Sequence, residues 1–369
     1  MKRTGGWIVL GIIILFMACA FIWHMAPRDR NDKPVIRIGA IIPLTGNLSD
    51  AGQAYKEAIE IAIKEINETN AKYHYEAIIE DNVFDTAKTV LITKKMQALY
   101  NPLMIISVGS GNAFAINSAL GGADIFQFAV VYNPDVSKRR LSHNYFTHPK
   151  DMAQKSVERM RHLGVKKVNI FAAKTAAVES LMRYLPQTLE ENKIQYNLVT
   201  FNPSERDFHL MIRKAFQNPV DLSLLVAQPP AVEILVRQLR EYDPTLKLAA
   251  TTDVVATNHP ELFDGIWFLD KDEPSARRKA LFGTQDQVKL QNMSAGYEAA
   301  RLFIDMIESL PYNDGQVDIQ ALEDKIMALK EYDVDGTIVS TDKDGFIGFD
   351  VSYRIFKDGK IIPLDETGE

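Results

Sequence analysis

Cysteine is all but missing from this chain. The one cysteine in 369 residues, Cys19, lies in an apolar leader, so the folded part can hold neither a disulfide nor a cysteine metal site. The seven histidines show no HExxH spacing, and isolated ones such as His143 and His148 read as surface or hydrogen-bonded residues, so no metal is expected. No GxxxxGK[ST] phosphate loop occurs. Gly109-Ser110-Gly111 is not the GxSxG elbow of hydrolases, and no histidine is placed by a motif to activate Ser110. Asp342-Lys343-Asp344-Gly345 begins like a calcium loop but lacks the later bidentate Glu, which leaves a hairpin turn. A basic excess is missing as well: 48 acidic against 42 basic side chains, spread without blocks, argue against a nucleic-acid partner. These absences leave no cofactor expected and no catalytic constellation that would mark an enzyme.

What is present starts with the leader. Met1 to Arg3 is basic, and an apolar stretch covers residues 7–26. Its length of about 20 residues suits a spanning helix, whereas a cleaved signal usually has about 7 to 15. Ala18-Cys19-Ala20 also fits cleavage after Ala20, and Phe16-Met17-Ala18-Cys19 is a poor lipoprotein box. All three fates export the folded part, placing it in the periplasm or at the cell surface, anchored by residues 7–26 if the leader is retained.

The remaining chain, with 46% apolar and 24% charged residues overall, is long enough for two domains. Residues 35–42 form a branched apolar run suited to a strand buried on both faces, and Pro43 to Gly46 breaks it. Ser49 or Asp50 can cap the next helix, where Ala54, Ala58, Ile59, Ala62 and Ile66 recur at helical spacing. The alternation continues with strands at 75–80, 103–108 and 125–131 and helices at 86–100 and 113–120. A connecting piece, residues 144–151, leads to a helix at 152–163 with Asp151 as its cap. A second series has strands at 167–172, 194–201, 221–227 and 247–250 and helices at 176–192, 207–217 and 231–242. Further on lie a strand at 265–269, helices at 294–309 and 319–329, and antiparallel hairpin structure from Gly336. The fold class is therefore α/β, with two units built of parallel sheets flanked by helices.

In this order IRIGAIIPLTG, HPKD, ERDF, the run Gly296-Tyr297-Glu298-Ala299 and GFIGFD resemble the substrate-binding proteins of ABC importers of the branched-chain amino-acid class. The resemblance covers nearly everything after residue 34. It implies the type I periplasmic-binding fold: two lobes that close on a ligand like a Venus flytrap, joined by hinge crossings near Thr147, Asp270 and Gly336. Lobe 1 would be residues 35–147 with 271–335, and lobe 2 residues 148–270 with 336–369, after a leader at 1–33. It also implies an exported solute-binding protein that takes an amino acid or a related amide or organic acid and presents it to an ABC permease. The alternative is a membrane-anchored sensory or partner-binding module that keeps the fold without amino-acid transport.

The same resemblance places the ligand contacts. Ser110, Gly111 and Asn112 fall where the family takes a carboxylate on small hydroxyl residues and backbone N–H groups at a helix start. Tyr132 stands where the family has a small residue or Thr, and Gln228 where an aromatic or hydroxyl contact is usual. Asp253 falls where a carboxylate often pairs with the ligand's ammonium. Ala51-Gly52 and AAKTAAVES replace two aromatic walls of the family pattern.

Overall fold

The computed structural model describes residues 33–365. The apolar leader, with its cleavage, lipid and anchor alternatives, lies outside the described residues. Among the described residues no helix is long and apolar enough to cross a membrane.

Strands and helices alternate at first: β1 (Val35–Ile42), α1 (Ser49–Asn67), β2 (His74–Asp81), α2 (Thr86–Leu99), β3 (Met104–Val108), α3 (Ser110–Leu120), β4 (Phe126–Val130) and β5 (Ser142–Tyr145). After α4 (Pro149–His162) come β6 (Lys167–Ala173), α5 (Ala176–Met182), α6 (Leu185–Glu191), β7 (Gln195–Phe201), α7 (His209–Ala215), β8 (Leu222–Val226), α8 (Ala231–Tyr242), β9 (Leu248–Ala250) and β10 (Trp267–Asp270). Three helices come next, α9 (Ala276–Phe282), α10 (Gln287–Ser309) and α11 (Ile319–Met327). The described chain closes with β11 (Tyr332–Val334), β12 (Thr337–Thr341), β13 (Phe346–Phe349), β14 (Ser352–Lys357) and β15 (Lys360–Pro363).

These strands form two sheets, ordered β11-β12-β13-β5-β4-β3-β1-β2 and β15-β14-β10-β9-β8-β6-β7. Pairing is parallel from β1 to β5 and from β6 to β10, and the added edge strands β11, β12, β14 and β15 pair antiparallel. The chain passes between the sheets after β5, after β10 and between β13 and β14. The third passage therefore lies at Asp350 and Val351, a correction to the crossing expected near Gly336. β13 runs parallel to β5, pairing Phe346 with Asn144 and Ile347 with Tyr145, so residues 337–349 belong to lobe 1. Alternating side chains mark a strand, but they carry no information about which sheet edge it joins.

Local chemistry accounts for other departures. Leu48 is the N-cap of α1, without a side-chain bond, in place of Ser49 or Asp50. Helix α4 starts at Pro149, whose fixed φ suits a first helical position, and His148 rather than Asp151 caps it by accepting from the Lys150 N–H at 3.2 Å. Residues 176–192 divide into α5 and α6 because Pro186 has no N–H to give Met182 four residues earlier. The buried stripe of α1, including Ala54, Ala58, Ile59, Ala62 and Ile66, faces the core. Helix α10 packs closely on α1, and Gly296 permits this: a Cβ there would stand 3.0 Å from the Tyr55 carbonyl oxygen.

Strand order reverses between β1 and β3 in one sheet and between β6 and β8 in the other, which is where open α/β sheets form crevices at their carboxyl ends. Residues just beyond all four strands line a single cavity: Pro43 and Leu48, Gly109 and Ser110, Ala177, and Gln228.

Candidate ligand site between the lobes

The cavity has a volume of about 100 Å³ and a mainly apolar wall that includes Tyr55, Phe84, Phe146 and Phe349. Of the expected contacts, Ser110, Tyr132, Gln228 and Asp253 line it, whereas Gly111 and Asn112 do not. The Asn112 amide is used locally: it donates to the Val108 carbonyl at 3.1 Å, and its oxygen accepts from the Thr89 hydroxyl at 3.1 Å. Gly111 lies beside α2, where a Cβ would approach Thr86 Cγ2 to 3.3 Å.

The turn from β3 into α3 depends on Gly109. Its φ is +87°, and a Cβ would meet the Phe84 ring at 2.7 Å, so only glycine lets the chain turn beside this ring. Ser110 thereby becomes the first residue of an 11-residue helix, among its free N–H groups. Its hydroxyl is buried and has no hydrogen-bond partner among the described residues.

Asp253 is built differently. Its Oδ2 accepts from the Tyr132 hydroxyl at 2.9 Å and from Thr251 at 3.0 Å, and its Oδ1 accepts from Gln228 Nε2 at 3.1 Å. Burial raises its carboxyl above the usual range, while these three donors pull against the rise. Burial and the facing Asp253 likewise push the Tyr132 phenol well up. Tyr132 comes from the loop after β4 in lobe 1 and Asp253 from lobe 2, so this bond crosses the cleft. The same loop makes further ties to lobe 2. Asn133 Nδ2 donates to the Ala176 carbonyl at 2.6 Å, and Asp135 pairs with Arg183 at 2.6 Å. Arg183 and then Lys138 hold the Asp135 carboxyl down at about 2. The expected partner for Asp253 was a ligand ammonium; both its oxygens are engaged within the protein.

Asp270 and Gln291 also line the cavity, outside the expected contacts. Asp270 ends β10; its Oδ1 accepts from the Lys271 N–H at 2.9 Å, while its buried Oδ2 has no partner among the described residues. Burial pushes this carboxyl up to about 6 against the pull of the Lys271 charge. Gln291 lies on the second turn of α10, and neither polar atom of its buried side chain has a partner among the described residues. The helix was expected only from Ser294. Asp286, which caps α10 by accepting from the Lys289 N–H at 3.0 Å, is the signal that would have extended it.

Beside Asp270 the chain enters a buried ionic cluster. Lys271 donates to Glu298 Oε2 at 2.9 Å, and Glu298 also accepts from Tyr145 at 2.8 Å, from Thr337 at 2.8 Å and from Arg278. Burial works to raise the Glu298 carboxyl, but Lys271 and Arg278 together hold it below the usual range. Among the described residues no cluster of His, Cys, Asp and Glu could hold a metal ion.

A family model described as periplasmic binding protein matches residues 35–356. Solved structures share the fold. The leucine binding protein LivK from Thermotoga maritima is 20% identical with a TM-score of 0.79, over 89% of this chain and 98% of that one. LivJ from Streptococcus pneumoniae, solved with isoleucine, is 16% identical with a TM-score of 0.72, over 89% and 97%. An ABC-transporter solute binding protein from R. palustris, solved with 4-hydroxybenzoate, is 18% identical with a TM-score of 0.79, over 90% and 96%. No curated protein matches the chain.

Proposed function

Since this chain belongs to the periplasmic binding protein family, we propose that it is an exported solute-binding protein that captures a small carboxylate-bearing ligand between its lobes and presents it to an ABC permease. Its work on this reading is binding, not catalysis, in the periplasm or at the cell surface. The observation that carries it is the Ser110 hydroxyl at the start of α3, buried without a hydrogen-bond partner among the described residues, in the wall of an interlobe cavity. A carboxylate placed there would meet the Ser110 hydroxyl and the free N–H groups of the first helical turn. Both lobes line the cavity, so a ligand touching both would favour the closed form, as population shift requires.

A thermal-shift panel of amino acids, small amides and short organic acids tests the reading. A ligand at about a hundredfold excess over its Kd adds about 2.7 kcal/mol of stability. That gain, lost in Ser110→Ala, is the expected result; no response from any acid defeats it.

One observation favours a second reading, a partner-binding module that keeps the fold. Tyr132, Asn133 and Asp135 already bond lobe 1 to lobe 2 directly, so closure here does not need a ligand to bridge the cleft. A protein that melts cooperatively, answers no solute and stays compact in solution would fit that reading.

A further inference from the structure

Three residues in the wall of the cavity carry buried polar atoms without a hydrogen-bond partner among the described residues: Ser110 Oγ, Asp270 Oδ2, and both Oε1 and Nε2 of Gln291. Native proteins keep few such groups, and several gathered around one cavity point to something that binds there. Their chemistry limits what it can be. Beyond the carboxylate that suits Ser110, the remaining atoms call for two hydrogens, one to Asp270 Oδ2 and one to Gln291 Oε1, and for one acceptor opposite Gln291 Nε2. An ammonium offers three donors and no acceptor, leaving Gln291 Nε2 unfilled. A second carboxylate offers no donor and would face Asp270. A hydroxyl has only one hydrogen. A primary carboxamide has two N–H bonds and one carbonyl, and it matches all three atoms in number and kind.

We infer that the ligand is a short acid bearing a primary carboxamide, with its carboxylate toward Ser110 and its amide toward Asp270 and Gln291. This rests on the reading that the cleft binds a small carboxylate. The cavity's volume, about 100 Å³, keeps the acid short. Asp253 is not the discriminating group, because Tyr132, Thr251 and Gln228 engage its oxygens.

Four acids of similar size test the inference by calorimetry with the full-length protein: succinamate, levulinate with a methyl in place of the amide nitrogen, γ-aminobutyrate with an ammonium, and succinate with a second carboxylate. Succinamate should bind at least tenfold more tightly than the other three. Gln291→Met should lose that preference while the ligand-free protein melts no lower than the parent, since a costly unpartnered amide has gone. Equal binding of all four acids, or a preference that survives Gln291→Met, overturns the inference and leaves the solute-binding reading in place. A drop in melting temperature for ligand-free Gln291→Met also overturns it, because it would give Gln291 a structural role. Failure of all four acids overturns it too; the solute-binding reading then stands if other acids in the wider panel bind and falls if none does.

Discussion

Asp253, half-buried, and Asp270, buried, line the same cavity, yet only Asp253 has both oxygens engaged by side chains. Burial raises both carboxyls. At Asp253 the compensation comes from Tyr132 across the cleft, so the cost of burying the acid is offset by a bond that joins the lobes. At Asp270 the Thr252 hydroxyl pulls against burial, but Oδ2 has no hydrogen-bond partner among the described residues, and the folded state bears that cost. The difference separates a part of the site that ties the two lobes together from a part whose hydrogen-bonding capacity is unspent.

Removing Asp253 should have the largest effect. Asp253→Ala leaves the Tyr132 hydroxyl, the Thr251 hydroxyl and the Gln228 amide without their shared acceptor, and unpaired buried groups cost roughly 1–3 kcal/mol each. A loss of about 4 kcal/mol in urea unfolding is expected. A neutral result would mean that the three donors find other partners and that the contrast with Asp270 is not real.

Asp270 should respond in the opposite direction. A folded-state value of about 6 against an ordinary 3.8 means that the folded protein holds this proton more tightly than the unfolded chain does. The resulting stability is complete below about pH 4 and is lost as pH rises through 6. The loss amounts to about 3 kcal/mol. Asp270→Asn should remove that slope while keeping the oxygen that accepts from Lys271. A pH titration of the urea midpoint checks this; an unchanged slope would place the charged Lys271 and Arg354 in control of Asp270 instead.

The smallest effect belongs to the rim. Arg183 pairs with Asp135 across the cleft, but its side chain is 47% exposed, so solvent screens the pair. Arg183→Ala should cost about 0.5 kcal/mol, and a larger loss in a chemical melt would move the closing contact outward from Tyr132 to the surface.

Much of the fold could be read from residue order. The strand, helix and turn signals in residues 35–130 give the parallel order of lobe 1, and the Gly109 turn puts Ser110 in the cavity wall. Apart from the Asp286 cap of α10, what resisted reading had no local signal. β5 is four residues long and sits in a stretch that reads as a connector, and the edge that β12 and β13 join is decided by sheet pairing far away in sequence. The site followed the same division. Tyr132 stood out because it departs from a pattern, but its bond to Asp253 spans 121 positions. Asp270 read as a hinge residue, and Gln291 fell in two helical turns that carried no recognised start. Whether a side chain is left unpartnered is a property of the packed protein, and no spacing announces it.

Gln291 and Glu298 stand seven residues apart on α10, nearly two full turns, so they share one face of the rod and lie about 10 Å from each other along it. Gln291 faces the cavity wall, while Glu298 gathers Lys271 and Arg278 where the chain passes from one lobe to the other. Cavity wall and ionic cluster are thus mounted on a single stiff beam. A substitution that rolls or tilts this beam shifts both at once, whereas an exchange of the Gln291 side chain alone touches only the cavity wall.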